Sequence, residues 1–529
     1  MATVEEKAAL PSTTHEKSSA PASSDDALGL GVALNVSGHR QELQRNFGLL
    51  SLCGLGITSG NVWFALGGTL NVAIYNGGPP GVIYEFIAAS VFYWIVAASI
   101  AELASAIPSS GGVYHWATVT GGPYGRTCGW FAGWWNALAW IFGYASVVQI
   151  VSAQAVSMYA VMHDGFVTQQ WHVFVTYIIV TWISVSIVLY LNRALPPIEI
   201  VAGFFVVAGV FISILVCAIM PHVNQRPYAT NFSVWGDWQN QTGYSSSGFA
   251  FLAGMLNGAY AVGTPDLVTH LAEEVPHPSR NIPKAILIQY IFGFFSGFFY
   301  LISILYDISS FDDVIDSLYP FPLAEIYRQA AGSKAGSVGL LFLAFIPALL
   351  SCVGCCVTAS RVFWTLARDR ATPCSRFFSH VNQSTHNPFR AIVFIGVFVT
   401  VLGCIYVGSK TAFAAFVGSF VILSTLSYIA AILPHLLSGR KNVMPGWFWM
   451  KGAVGFVVNG IACAYIIVFV VIFCFPFSLP VDAAHMNYAS LITGGLSLFV
   501  LLFWFVRQST YVGPREVILD AHVLAKDAL

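Results

Sequence analysis

Charge is what this chain has least of. Asp, Glu, Lys and Arg together make up 9% of its 529 residues, against roughly 25% in a soluble globular chain. So few charges cannot clothe a water-exposed surface, and most of the exterior has to face lipid. The formal net charge of −1 leaves no basic stripe for neutralising phosphates, which excludes a nucleic-acid partner. No HExxH, Walker A or paired metal-ligand motif occurs, so neither an enzyme nor a bound cofactor or metal is expected. Residues 1–46 lack the apolar h-region of a signal peptide. Their Ala, Ser, Glu and Lys content is that of a disordered cytosolic tail, and the first membrane helix is expected to serve as the targeting signal. The ten cysteines do not form a bridge framework. Cys53, Cys217, Cys404, Cys463 and Cys474 sit inside apolar runs as packing residues, and the cluster Cys352, Cys355 and Cys356 lacks His or carboxylate partners.

What the chain has instead is apolar length, with 57% of residues hydrophobic. A bilayer core of roughly 30 Å takes about 20 apolar residues per helical span. Runs of that size fall at 47–75, 80–107, 127–161, 171–191, 198–220, 247–272, 285–306, 338–366, 390–408, 411–436, 453–476 and 487–507. Twelve spans place both termini on one side. With the amino terminus in the cytosol, all of the 23 basic residues except Arg226, Arg328, Lys334 and Lys410 fall on the inner side, the asymmetry that the positive-inside rule requires. The loop between spans five and six then lies outside, with acceptor sequons at Asn231 and Asn240 as candidate glycosylation sites. A third sequon at Asn382 falls in an inner loop, so sequons alone do not fix the topology.

Two spans carry helix breakers near their middle. The first contains Gly54 to Gly60 (GLGITSG) and the sixth Asn257 to Pro265 (NGAYAVGTP). Gly costs a helix about 1 kcal/mol and Pro about 3 kcal/mol relative to Ala, and Pro265 disfavours helical geometry at Thr264. Unwound backbone in a bilayer is tolerable where it lines a polar cavity. Breaks in spans one and six predict a five-plus-five inverted repeat with the substrate site between them. Half-helix N-termini there suit a carboxylate, and freed carbonyls suit an ammonium or a cation. The alternative is that glycines only let helices approach closely.

Three stretches carry a family resemblance: Gly56 to Gly60, Ala101 to Tyr114 (AELASAIPSSGGVY), and Asp266 to Ala285 (DLVTHLAEEVPHPSRNIPKA). With them, residues 40–510 resemble the amino acid–polyamine–organocation superfamily, and within it the fungal amino acid/choline permeases. The resemblance implies an all-α membrane protein of about 12 helices, a LeuT-like core of ten plus two peripheral ones, with helices 1 and 6 broken. It divides the chain into a ten-helix transport core at 47–436, a peripheral pair at 453–507 and cytosolic tails at 1–46 and 508–529. It also implies alternating access driven by protons, with the plasma membrane as the commonest setting. Carried over by motif, Gly56, Ile57, Thr58, Ser59 and Gly60 bind a substrate carboxylate through backbone groups, and Asn257, Tyr260, Ala261 and Gly263 contact the rest of the substrate. One departure is plain: Ile198 to Met220 of span five contains no lysine, so the coupling lysine of many relatives is missing.

Ionisable groups within spans are functional candidates by default. Asp266, beside the break, is read two ways: as the attractor of a substrate amine or of the coupling proton, or as the cap of the second half-helix. Glu102 is read as pinning the inner gate. Glu85 and Glu199 are placed near span ends, within reach of interfacial water. His270 either titrates near neutral pH or only packs. Glu273, Glu274, Arg280 and Lys284 form a cytosolic segment that locks the gate through Arg126 or Arg193, or is simply solvated. Trp130, Trp134, Trp135 and Trp140 of span three are read either as interfacial belt and packing or as a cation–π wall, with Trp140 the leading candidate for the second. The partner is a small amine-bearing solute. GABA or another amino acid is the leading expectation, choline or a polyamine the rival, and a nutrient sensor with little flux the alternative of another class.

Overall fold

The computed structural model describes residues 43, 45–70, 74–310, 313–314, 317, 319–382, 387–409, 411–483, 485–511 and 513–514. Most of the two expected tails (1–42, 44, 512 and 515–529) and Lys410 lie outside the described residues. Among the described residues there is no strand, only one bridge between Asn382 and Asn387. In lipid the chain must satisfy every backbone group internally, and helices do that within one segment.

The first span is two helices, α1 (Leu49–Ser59) and α2 (Val62–Gly68). Span two is α3 (Gly78–Ala106), followed by a short α4 (Val113–Thr120). Spans three to five are α5 (Gly125–Met162), α6 (Gln170–Tyr190) and α7 (Leu195–Val223). Span six is α8 (Ser247–Val262) and, after a gap, a 3-10 segment (Leu267–Glu274). Next come α9 (Pro278–Asp307), α10 (Leu323–Ala331) and α11 (Lys334–Arg368). The last four spans are α12 (Phe389–Gly408), α13 (Ala412–Leu437), α14 (Gly452–Ile472) and α15 (Tyr488–Arg507). Eleven of the twelve predicted spans are long and apolar enough to cross a bilayer. The remaining one is span six, which its own break shortens to the 16 residues of α8.

Boundaries follow capping chemistry. Pro79, Pro196 and Pro278 stand in the first turns of α3, α7 and α9, where the missing N–H costs nothing. Ser246 and Ser333 accept from Phe249 N (3.2 Å) and Gly336 N (3.1 Å) to start α8 and α11. Gly332, at φ 66°, ends α10 in the left-handed cap.

Span one packs onto span five backbone to backbone. A Cβ on Gly54 would lie 2.4 Å from the Glu199 carbonyl oxygen, and one on Gly203 would lie 3.2 Å from Gly54 Cα. The close-packing reading therefore holds for Gly54, a small-residue contact of the kind membrane helices use. Alternating helices place residues 45–48, the α4 region and the end of α15 on one face, called here the basic face. Arg226, Arg328 and Lys334 sit on the opposite face, held by Gln329 O (2.6 Å), Glu325 (2.6 Å) and Asp164 (2.6 Å). At the margin, α15 buries only Ala489, Thr493 and Val500. All ten cysteines are free thiols.

Candidate functional site

The two breaks differ from the pattern read in the sequence. Gly54 to Ser59 stay helical, and the interruption of span one is confined to Gly60 and Asn61. Gly60 N–H still reaches Gly56 O at 3.0 Å, while Asn61 Oδ1 accepts from Phe64 N at 3.3 Å to restart the helix. The expected run of freed backbone from Gly56 to Gly60 is thus shorter than the glycines suggest, because one unwound pair is enough to redirect the chain.

In span six the gap spans Gly263 to Asp266. Its carbonyls are met by neighbouring side chains: Tyr290 OH donates to Val262 O at 2.6 Å, Tyr428 OH to Gly263 O at 3.4 Å and Gln289 Nε2 to Thr264 O at 3.1 Å. Asp266 does not cap through its side chain. Fully buried, its carboxyl accepts from Tyr428 OH (2.6 Å), Asn136 Nδ2 (2.7 Å), Trp140 Nε1 (3.0 Å) and faces His270 Nε2 (3.0 Å). His270 Nδ1 faces the Ser110 carbonyl at 3.2 Å. Both ring nitrogens thus meet oxygen atoms, so His270 is tied into a polar network rather than being a lone packing residue.

Between the breaks lies a narrow cavity of about 30 Å³, room for water rather than a solute. Of the sequence candidates, Ser59, Gly60, Tyr260, Ala261 and Trp140 line it, together with Asn61, Phe64, Thr264, Ser351, Cys355 and Phe420. Gly56, Ile57, Thr58, Asn257, Gly263 and Asp266 stand outside that lining. Gly56 faces Gln289 and Val268; Asn257 is hydrogen bonded to Thr69; Asp266 sits behind Trp140 and orients its ring. The Trp140 and Tyr260 rings both meet Phe420 edge to face at 5.7 and 5.9 Å. Tyr260 OH pairs with Ser146 Oγ at 2.8 Å. No lining residue is Asp, Glu, Lys, Arg or His, whereas Ser59 Oγ and Asn61 Nδ2 are buried without a partner among the described residues.

The basic face is sealed below this cavity. Glu273 pairs with Arg368 at 3.0 Å and Glu274 with Arg361 at 2.8 Å, all four side chains buried. These replace the expected partners: Arg126 instead donates to Gln508 O and Tyr511 O, both at 2.8 Å. The long motifs after spans two and six meet here, since Ser110 Oγ accepts from Glu273 N at 3.1 Å. Gly112, at φ 49°, lies where a Cβ would press on His270. Glu102 is bonded by Arg440, by Met450 N (3.1 Å) and by Asn459 Nδ2 (3.2 Å), tying span two to the region around span eleven. Arg280 takes no part in the seal and stands over the Trp447 ring. On the opposite face a larger chamber of about 440 Å³ opens among Tyr75, Leu256, Thr411, Phe473 and His485.

Other placements complete the picture. Glu85 and Glu199 do not reach water; each is about 1% exposed and has no hydrogen-bond partner among the described residues. Trp130 and Trp135 pack on α15, donating to Val500 O (3.1 Å) and Ser497 Oγ (3.0 Å), whereas Trp140 lines the cavity. Asn231 is exposed and accepts from Tyr306 OH at 2.8 Å, while the Asn240 amide donates to Tyr244 O at 2.9 Å. Sequence reasoning missed Gln289, Tyr290, Phe420 and Tyr428, whose spans show no local signal. It also missed Arg361, which an ionisable residue inside span eight should have flagged.

The family model described as amino acid permease matches residues 47–497. The choline transporter of Saccharomyces cerevisiae is 30% identical over 90% of this chain and 82% of its own. Amino-acid permease 2 of Neurospora crassa is 27% identical over 95% and 92%. Among solved structures, the manganese transporter of Eremococcus coleocola superposes with a TM-score of 0.56 at 14% identity, covering 86% of this chain and 94% of that one. That likeness carries the LeuT-like fold and nothing about cargo. The chain therefore belongs to the amino acid permease family, as a multi-pass membrane transporter of amino acid or choline type.

Proposed function

We propose that the protein is a proton-coupled importer of a small ammonium-bearing solute, and that the lining of its cavity, once opened to admit a solute, suits a quaternary ammonium of choline type better than GABA. The observation that carries this reading is the lining: Trp140, Tyr260 and Phe420 supply aromatic faces, and no ionised side chain supplies a counter-charge. A desolvated cation over an aromatic face gains roughly 2 kcal/mol or more, and Asp266 fixes Trp140 for that role. The similarity to the yeast choline transporter supports it. A zwitterionic amino acid is the second reading, favoured by the unpartnered Ser59 and Asn61 groups near the span-one break.

Alternating access would open the sealed basic face by parting Glu273 from Arg368 and Glu274 from Arg361. The Asp266–His270 pair is the candidate site for the coupling proton, since the chain lacks a span-five lysine. In this reading the basic face is cytosolic and the membrane is the plasma membrane. The test is uptake of labelled choline and labelled GABA, each competed by the other, in cells lacking their own carriers. It is run at about pH 5 and about pH 7.5, bracketing the histidine range, with a protonophore control. Saturable, acid-stimulated choline uptake whose KM rises about thirtyfold in Trp140→Leu is the expected result. GABA uptake untouched by choline would overturn the choline assignment, and binding without flux would replace the carrier by a sensor.

A further inference from the structure

A second cavity lies on the outer surface of the helix bundle, away from the transport site. It is a lateral groove of about 610 Å³ between α3 and α9, near the basic face, and its lining is almost wholly apolar. Ala97, Ala98 and Ala101 of α3 form its floor because their side chains are too short to fill the space. Leu287, Ile291 and Phe295 of α9 line it and are 46–59% exposed, so in a bilayer they stand among acyl chains.

The mouth of the groove is cationic. Arg280 and Lys284, one helical turn apart on α9, hold their charged groups 5.5 and 5.4 Å from the centroid of the exposed Trp447 ring. Neither has an acidic partner among the described residues. That sets them apart from Arg361, Arg368 and Arg440 of the same face, each of which is paired with a glutamate. Two cations held at a tryptophan, at the mouth of an apolar trough, match the two halves of one molecule: an anionic head and a hydrocarbon chain.

We propose that this groove is a binding site for an anionic glycerophospholipid, its phosphate held by Arg280 and Lys284 and one acyl chain laid along α3 and α9. The site bears on transport through Tyr290, which lines the same groove while donating its hydroxyl to the Val262 carbonyl at the span-six break. Basic residues beside a membrane gain about 1 kcal/mol each from anionic lipid, so losing both corresponds to roughly a thirtyfold loss of affinity.

The experiment is native mass spectrometry of the full-length protein in detergent, titrated with phosphatidylserine or phosphatidylcholine. The wild type is expected to retain phosphatidylserine preferentially, and Arg280→Gln with Lys284→Gln to fall about thirtyfold, to the phosphatidylcholine level. Lys441→Gln with Lys451→Gln, exposed cations outside the groove, should keep the preference. Ala98→Phe, which fills the trough, should weaken retention of both lipids. Equal affinity for the two lipids in the wild type overturns the proposal. So does a preserved preference in the Arg280/Lys284 variant, or an equal loss in the Lys441/Lys451 control. Neither Arg280 nor Lys284 is buried, so that variant tests the site even where Ala98→Phe fails to fold.

Discussion

The two broken spans solve the same problem in opposite ways. Span one interrupts its ladder for only Gly60 and Asn61 and leaves polar groups beside the cavity unpaired: Ser59 Oγ and Asn61 Nδ2 have no partner among the described residues. Span six opens from Gly263 to Asp266 and leaves almost nothing unpaired. Tyr290, Tyr428 and Gln289 take up its carbonyls, and Asp266 is ringed by four donor side chains. A buried polar group without a partner costs roughly 1–3 kcal/mol, so the first break holds a cost that a ligand can remove. The second break is largely paired, and its Asp266 carboxyl orients Trp140. In the proposed function the first break is a ligand contact and the second a scaffold.

The contrast is broken most severely at Asp266. Asp266→Ala removes the acceptor shared by the Asn136, Trp140, Tyr428 and His270 side chains. Each buried polar group left unpaired costs roughly 1–3 kcal/mol, so thermal stability and surface abundance should both fall sharply. Uptake per surface copy should also fall to background, because Trp140 loses its orientation. Normal uptake by a stable Asp266→Ala protein would remove span six from the role of frame.

Next in size is Tyr290→Phe, which deletes one hydroxyl and leaves the Val262 carbonyl bare. The expected cost is about 1–3 kcal/mol, read as a lowered melting temperature of the purified protein. Ser59→Ala sharpens the comparison from the other side. Its hydroxyl has no partner to lose and is buried at a cost of roughly 1–3 kcal/mol, so melting should hold or rise. A rise in KM without lowered melting marks Ser59 as a ligand contact; lowered melting with unchanged KM would make the two breaks alike.

How far the sequence leads follows from these same residues. The twelve apolar runs and the two broken spans were legible, because glycine, proline and span length act locally. Trp140, singled out among its neighbours, does line the cavity between the breaks. The partners of the breaks were not legible. Tyr290 and Tyr428 lie in unbroken spans, and no local pattern says which of 22 tyrosines will meet a carbonyl exposed elsewhere in the chain. The gate pairs were misassigned for the same reason. Charge alone offered Arg126 and Arg193, whereas packing of span six against span eight delivers Arg361 and Arg368. Glu85 and Glu199 show the limit of counting residues from a helix end, since neighbouring helices cover both.

The smallest effect is expected far from both breaks, at the pair formed by Lys334 and Asp164 on the face opposite the seal. Both side chains are largely exposed, 46% and 89%, and exposed pairs are screened by water and salt. The ammonium of Lys334 nevertheless holds the Asp164 carboxyl below its usual value. A carboxyl lowered in the folded state contributes stability above its unfolded pKa of about 3.9, and that contribution disappears as pH falls through the lowered folded value. Lys334→Gln should therefore lower the melting temperature slightly at neutral pH and not at all once Asp164 is protonated. High salt should erase the neutral-pH difference as well. Melting curves of the two proteins at neutral and strongly acidic pH check both points. A salt-resistant loss would mean that the pair clamps the loop after α5 to the start of α11 by packing, and transport would then have to be measured in that variant alongside those of the two breaks.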